Sequence, residues 1–144
     1  MNTFLPYPNV MESVMALDNR RLGKQRIEAL QIYKVLRGES TAWARHPAVT
    51  MWKGNEAFLI VYYNAAVCEW SRRGFKNSMP IVAGSVAPAP EWFGGPIHAN
   101  HRARLLAKNP EFYAEYCWEE LPTDINYYPR TGWYRNGKRV EDLS

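Results

Sequence analysis

The stretch DNRRLGKQRIEALQIYKVLRG, residues 18–38, decides the fold because its apolar residues repeat with the period of an α-helix. Asp18 can cap the start of this helix, which is predicted to run to Arg37 with Gly38 just past its end. At 100° per residue, four residues form an apolar face directed at a core: Leu22, Ala29, Tyr33 and Leu36. The chain is therefore predicted to be mainly α-helical.

The opposite face of this helix is polar and carries most of its charge. It comprises Arg20, Lys24, Glu28 and Gln31, with Arg21 and Gln25 at its edge. Glu28 is a single carboxylate among three cations, one turn from Lys24 and two turns from the arginines. Two interpretations stay open. The face is either solvated and held by ion pairs worth about 0.3–0.5 kcal/mol each, or a site where cations hold phosphates while Glu28 acts on a sugar.

Five further helices are predicted around this one. They span about residues 9–17, 47–51, 55–73, 98–108 and 109–118. The helix over 55–73 is apolar nearly all round, so we expect it at the centre of the core with Cys68 buried and inert. Gly23 permits a bend or a close approach of another helix. Residues 76–97 contain four prolines and are predicted to form a long irregular loop.

Length and charge narrow the class of protein. The 144 residues fit one helical domain over 1–144, in which 119–144 form an aromatic, basic and turn-rich tail. A net charge of +4 favours an anionic partner without naming one. The two cysteines form no disulfide framework, no signal-peptide pattern opens the chain, and no apolar run is long enough for a membrane span. We expect a soluble, cytoplasmic monomer.

The other candidate residues are less specific. His98 and His101 have the spacing of a metal-ligand pair, but no further ligands follow, so we expect no metal. His46 precedes Pro47 and can cap a helix, donate to a phosphate or contact a base. The tail alternates aromatic and basic residues, which suits either nucleic-acid binding or packing of the tail on the core.

The start of the chain is a second candidate for chemistry. An α-amino group ordinarily has a pKa of about 8, well below that of a lysine side chain, so a fraction of it is neutral and nucleophilic near pH 7. Every chain carries such a group. It matters here only if the apolar stretch TFLPY, residues 3–7, anchors the start of the chain against the core.

Three stretches together resemble the phage-type endonuclease V, or pyrimidine-dimer DNA glycosylase, family, and in particular its branch that begins like MNTFLPY and carries a block like HPAVTMW. The first stretch is the helix from Asp18 through Leu30, in which Glu28 aligns with the family's catalytic glutamate when one insertion is allowed. The second is AVTMW, residues 48–52, leading into the helix that closes with SRRGFKN, residues 71–77. The third is ARLLAKNPEFYAEYCW, residues 103–118. The tail from Glu119 has no counterpart in the family.

The resemblance implies a compact helical fold of the endonuclease V type and a glycosylase that also cuts the DNA strand as an AP lyase. In that family an N-terminal amine attacks the sugar of a damaged pyrimidine and forms an imine, and the glutamate supports the reaction. The duplex is kinked and a base is flipped out of the stack. The mechanism needs no cofactor. The implied partner is damaged double-stranded DNA, held here by Arg20, Arg21, Lys24, Arg26 and His46.

The match departs from the family at two places. The family's nucleophile is the amine of a small second residue, whereas here the second residue is Asn2, so the reactive amine belongs to Met1 if Met1 is retained. Lys24 is a possible substitute because it lies one turn from Glu28. The family's arginine before the glutamate aligns with Ile27, and Arg26 is the nearest replacement. A non-catalytic nucleic-acid-binding module, and a glycosylase for another modified base or for RNA, remain alternatives.

Overall fold

The predicted helical fold is confirmed by a computed structural model, which describes residues 1–84 and 86–140. The helices are α1 (Val10–Ala16), α2 (Asn19–Leu36), α3 (Pro47–Thr50), α4 (Glu56–Arg72), α5 (Ile97–Lys108) and α6 (Pro110–Tyr113). A 3-10 helix, Ala114–Tyr116, follows α6 directly. Three short strands close the described chain: β1 (Asn126–Tyr128), β2 (Gly132–Arg135) and β3 (Lys138–Arg139).

Helix α4 lies at the centre of the molecule and packs against both α1 and α2. Its buried residues include Leu59, Tyr62 and Ala66. The close approach expected at Gly23 occurs here, because a Cβ atom at this position would lie 3.1 Å from the Trp70 ring of α4. The absence of a side chain at Gly23 therefore lets the two long helices pack closely.

The apolar face of α2 is largely as predicted. Leu22 and Ala29 are fully buried, while Tyr33 and Leu36 are half-buried and pack on the edge of the core. Ile32 is fully buried and belongs to the same face. Asp18 stands at the N-cap position, but its side chain makes no capping hydrogen bond. Its carboxylate instead accepts from the Tyr113 hydroxyl and pairs with Arg21 at 3.3 Å.

The start of the chain is an extended segment, residues 2–6, that is buried without being part of a sheet. Its backbone groups are paired with side chains instead. Gln25 Oε1 accepts from the Phe4 N–H at 2.7 Å, and the Tyr62 hydroxyl donates to the Phe4 carbonyl at 2.8 Å. His101 and His98 bind the N–H and the carbonyl of Leu5 at 2.8 and 2.7 Å. Helices α2, α4 and α5 thus hold this segment in place, because buried backbone groups need partners.

The tail contains structure that the sequence analysis did not predict. Strands β1, β2 and β3 form an antiparallel sheet in that order, and β1 packs against α5. Tyr127 faces Trp133 across the β1–β2 pair, with ring centroids 4.7 Å apart. Tyr128 is buried in the core. Packing of tail aromatics on the core, one of the two interpretations left open, is therefore observed at Tyr128.

Two structural expectations were wrong. The helix predicted over 109–118 is α-helical only to Tyr113, passes into a 3-10 turn and ends at Cys117, whose φ of 56° stops it. Cys68 is exposed on the surface of α4 and is not buried within the core, because α4 has one solvent-facing stripe despite its apolar composition.

None of the helices in residues 1–84 and 86–140 is long and apolar enough to cross a bilayer.

His101 is the buried titratable group that holds the start of the chain. Its Nδ1 accepts from the Leu5 N–H, so the neutral ring carries its proton on Nε2. Burial, reinforced by His98 and Arg104, lowers the pKa of His101 to about 3. In the unfolded chain a histidine binds a proton near its ordinary pKa of about 6.5.

We expect the free energy of unfolding to fall as the pH drops below about 6.5 towards 3, by up to about 1.4 kcal/mol per pH unit for His101, because only the unfolded state gains the proton. His98 and His46, whose pKa values burial also lowers, act in the same direction. Urea denaturation at pH 7.5 and 5.5 measures the effect. NMR titration of the His101 ring should show no protonation at pH 5, and a midpoint near 6.5 would contradict this account.

Candidate active site

A polar cleft of about 280 Å³ opens where the start of the chain meets α2, α5 and β1. Its walls carry five cationic side chains: Arg20, Arg21, Lys24, Arg104 and Lys108. The single carboxylate in its lining is Glu28. The other lining residues are Met1, Asn2, Phe4, Gln25, Asn126 and Tyr128. The cleft is therefore strongly positive, with one negative group inside it.

Helix α2 supplies the first wall. Arg20, Arg21, Lys24 and Glu28 share one side of the helix because they are three or four residues apart. Within the described residues Glu28 makes no ion pair with any of them. The ion-pair interpretation of this face is therefore wrong for Glu28, whose carboxylate accepts from Asn2 and Gln25 instead.

The start of the chain reaches this carboxylate. The backbone N–H of Asn2 donates to Glu28 Oε2 at 3.4 Å. The Asn2 side chain is buried and donates to Asn126 of β1 at 3.4 Å, while the Tyr128 hydroxyl donates to the Met1 carbonyl at 2.8 Å. One residue of extended chain spans at most about 3.6 Å. The nitrogen of Met1 thus lies within about 7 Å of Glu28.

Helix α5 and the tail supply the opposite wall, which the sequence analysis missed. Arg104 and Lys108 are four residues apart on α5, a spacing that could have marked them as neighbours. Arg104 donates to the Asn126 side chain at 2.9 Å. Partial desolvation in the cleft wall, together with the positive charges of Arg104, Arg21 and Lys24, lowers the pKa of Lys108. Burial raises the pKa of Tyr128 to about 12, so its hydroxyl stays protonated and can donate to Met1.

Gln25 joins the catalytic candidates to the core. Its helical position predicted a place at the edge of the polar face, but its side chain is buried. Its Nε2 donates to Glu28 Oε2 at 3.1 Å, and its Oε1 accepts from the Phe4 N–H at 2.7 Å. The Tyr62 hydroxyl lies 2.7 Å from the same Oε1 and shares its single proton between this oxygen and the Phe4 carbonyl. One amide thus fixes the position of Glu28 relative to the start of the chain.

His46 lies beside the cleft. Its Nδ1 caps α3 by accepting from the Ala48 N–H at 3.0 Å, which is one of the roles left open by the sequence. Its ring meets the Tyr128 ring edge-on, with centroids 5.6 Å apart. Burial and the positive chain terminus lower the pKa of His46, so the ring is neutral at pH 7.

Arg26 does not line the cleft with the other predicted cations. Its guanidinium lies 4.3 Å from the centre of the Trp70 ring and donates to Asn77 at 2.9 Å. It is half-buried between α2 and the end of α4. The proposed replacement of the family's arginine by Arg26 is therefore not supported by its position. His98 and His101 are likewise occupied by the backbone of Leu5.

The sequence of the chain matches a known protein family. A family model described as pyrimidine dimer DNA glycosylase matches residues 1–82, which is more than half of the chain. The chain belongs to the pyrimidine dimer DNA glycosylase family. Comparison with curated proteins and with solved structures found no match. The family consists of DNA repair enzymes, so membership implies a glycosylase that binds DNA.

The matched segment contains one side of the cleft. Met1, Asn2, Glu28 and the three cations of α2 lie within residues 1–82, whereas the wall formed by α5 and β1 lies beyond it. The resemblance noted over residues 103–118 is outside the matched segment and stays a resemblance. The family match and the cleft geometry thus meet at the start of the chain and at α2.

We expect Gln25→Met to lower the free energy of unfolding by about 1–3 kcal/mol, because the Phe4 N–H would be left buried without an acceptor. Urea denaturation measures the change. Gln31→Met, at an exposed position of the same helix, is the control and should stay within about 0.5 kcal/mol. Equal effects of the two substitutions would show that the Gln25 amide does not hold the segment.

Proposed function

We propose that this chain is a DNA glycosylase with AP-lyase activity on damaged pyrimidines, the type lesion being the pyrimidine dimer. The observation that carries the proposal is the position of the chain's start, whose Asn2 nitrogen lies 3.4 Å from the Glu28 carboxylate inside a cationic cleft. Family membership supports the glycosylase class. The amine and the carboxylate are the two groups that such a reaction requires.

In the first step the α-amine at the start of the chain attacks C1′ of the damaged nucleotide. Its nitrogen bonds to C1′ as the bond from C1′ to the base breaks, and the base leaves with that electron pair and a proton. The sugar ring then opens at C1′, with its oxygen protonated, to give an imine. The Glu28 carboxylate stabilises the positive charge that develops on the sugar.

In the second step Glu28 accepts a proton from C2′ of the imine. A double bond forms between C2′ and C3′, and the bond from C3′ to its phosphate oxygen breaks, which cuts the strand. Water then hydrolyses the imine and regenerates the amine. The five cations of the cleft hold the phosphates on either side of the sugar during both steps.

The reacting nitrogen is assigned to Met1, because initiator methionine is usually retained before a residue as large as asparagine. The Met1 carbonyl is fixed by Tyr128, and Met1 lines the cleft. If Met1 is removed, the nitrogen of Asn2 becomes the amine and already contacts Glu28. Intact mass, followed by mapping of a trapped adduct, tells the two apart.

The substrate is proposed to be double-stranded DNA, bound by a monomer in the cytoplasm through a fold of the endonuclease V type. A straight, fully stacked duplex cannot bring C1′ of a nucleotide to an amine that lines a cleft. The duplex must therefore bend, and a base must leave the stack. This distortion costs a few kcal/mol and is smallest at a lesion whose pairing is already weakened.

We expect Glu28→Gln to lower strand cleavage by about 10²–10⁴-fold because the amide cannot accept the C2′ proton. The assay uses ultraviolet-irradiated duplex DNA and an abasic duplex, with borohydride to trap the imine. Glu12→Gln, at an exposed position of α1, is the matched control and should cleave like the unmodified protein. A protein that binds both duplexes but never gives a trapped adduct would be the non-catalytic binding module.

We expect Lys24→Ala and Lys108→Ala each to reduce the slope of log K against log [salt] by about 1, since each removes one phosphate contact. Fluorescence anisotropy on an undamaged duplex between 50 and 200 mM salt measures the slope. Arg26→Ala should leave the slope unchanged, because Arg26 is held by Trp70 and Asn77. An equal change for all three variants would place Arg26 on the DNA after all.

A further inference from the structure

Trp43 is the most exposed aromatic side chain among the large hydrophobic residues of the described chain, and it lies in the turn between α2 and α3. The residue is 58% exposed. The turn is held by its own backbone, with the His46 N–H donating to the Trp43 carbonyl at 2.9 Å. The indole of Trp43 is therefore not part of the hydrophobic core.

The backbone of Trp43 is also strained. Its φ is 65°, in the left-handed region that favours glycine and that bulky residues rarely adopt. A glycine would occupy this position without strain, whereas the tryptophan is both exposed and strained. Local strain of this kind persists where a side chain is needed in a particular place.

The ring is placed next to the candidate active site. Its centroid is 6.0 Å from that of His46, and His46 in turn meets Tyr128, whose hydroxyl holds Met1. Trp43 also borders a depression of about 130 Å³ along α2 that includes Gln31. Gln31 lies one turn beyond Glu28 on that helix. The polar face of α2 thus continues from the cleft, through Glu28 and Gln31, to the depression that Trp43 borders.

The surroundings of the ring suit nucleic acid. Arg45 is exposed and makes no ion pair within residues 1–84 and 86–140, and Lys34 lines the same depression. The Trp43 indole N–H donates to no group of the described residues, in contrast to those of Trp52 and Trp92. The exposed face of the indole can stack on a base, its N–H can donate a hydrogen bond, and the neighbouring cations can contact a phosphate.

We propose that Trp43 stacks on a nucleobase of the DNA that loses its own stacking partner at the lesion. The inference rests on the proposed function for the identity of the ligand. The stacked base would hold the duplex in its bent form while the sugar enters the cleft. Trp43 is accordingly a binding residue for the distorted duplex, and undamaged DNA, whose bases are all stacked, does not use it.

The test compares binding to two duplexes by fluorescence anisotropy: an undamaged duplex and one with a tetrahydrofuran abasic analogue, which cannot be cut. Trp43→Ala and Trp43→Gly should weaken binding to the abasic duplex about 5- to 150-fold, the range expected for one lost base stack. Binding to the undamaged duplex should change less than about 3-fold. Trp43→Phe should restore most of the preference, since it keeps an aromatic face.

Thermal unfolding separates binding from a structural role. The Tm of Trp43→Gly should equal or exceed that of the unmodified protein, because glycine relieves the strained backbone. Phe75→Ala, at an exposed aromatic position that stacks on Trp70, is the matched control and should keep the preference for the abasic duplex. Unchanged abasic-duplex binding in Trp43→Ala, or a loss of binding that follows a loss of Tm, would overturn the proposal.

This binding experiment, combined with the borohydride trapping assay on the natural abasic duplex, distinguishes the inference from the proposed function. A protein that traps an imine, but whose Trp43 variants bind the abasic duplex normally, keeps the function and loses the inference. A protein that prefers the abasic duplex in a Trp43-dependent way, yet gives no adduct, keeps the inference and loses the function. Absence of any DNA binding would remove both.

Discussion

The structure depends on a buried length of backbone that has no strand beside it. Residues 2–6 are extended and buried, so their N–H and carbonyl groups need partners inside the protein. The partners are side chains: an amide from α2, a phenol from α4 and two imidazoles from α5. Three helices are thereby fixed relative to the first residues of the chain, and the candidate chemistry is a consequence of that arrangement.

The imidazoles show why such an arrangement uses polar core residues. His98 and His101 could be mistaken for metal ligands by their spacing, yet each serves one backbone group of Leu5. Burial keeps His101 neutral, which it must be for Nδ1 to accept from a backbone N–H. A cationic ring at this position would lose that hydrogen bond and lie uncompensated in the core.

The sequence was sufficient for the elements whose patterns are local. Helices α2 and α4 follow from apolar periodicity and end signals, and Glu28 stands out as the lone carboxylate on a cationic face. The burial of Gln25 was not predictable from periodicity, because its side chain accepts a hydrogen bond from a backbone N–H more than twenty residues away. The contribution of Tyr128 was hidden for the same reason, since short strands rich in aromatics resemble a turn-rich tail until their pairing is known.

Arg26 illustrates the opposite error. Its place two residues before Glu28 made it the nearest replacement for the family's arginine, but residues two apart on a helix point about 160° apart. The guanidinium turns to Trp70 and Asn77, where it stabilises the contact between α2 and α4. The charge of a side chain therefore does not by itself assign that residue to the cleft. The side of the helix from which the side chain projects must also be known.

The cleft is assembled from two separate portions of the polypeptide. Met1, Asn2 and Glu28 come from the first portion, whereas Arg104, Lys108, Asn126 and Tyr128 come from residues beyond 82. Substitutions in the later portion can reshape the opening of the cleft while the proposed reacting groups, the start of the chain and Glu28, keep their places. For the proposed glycosylase, such a division lets the choice of lesion change independently of the bond-making step.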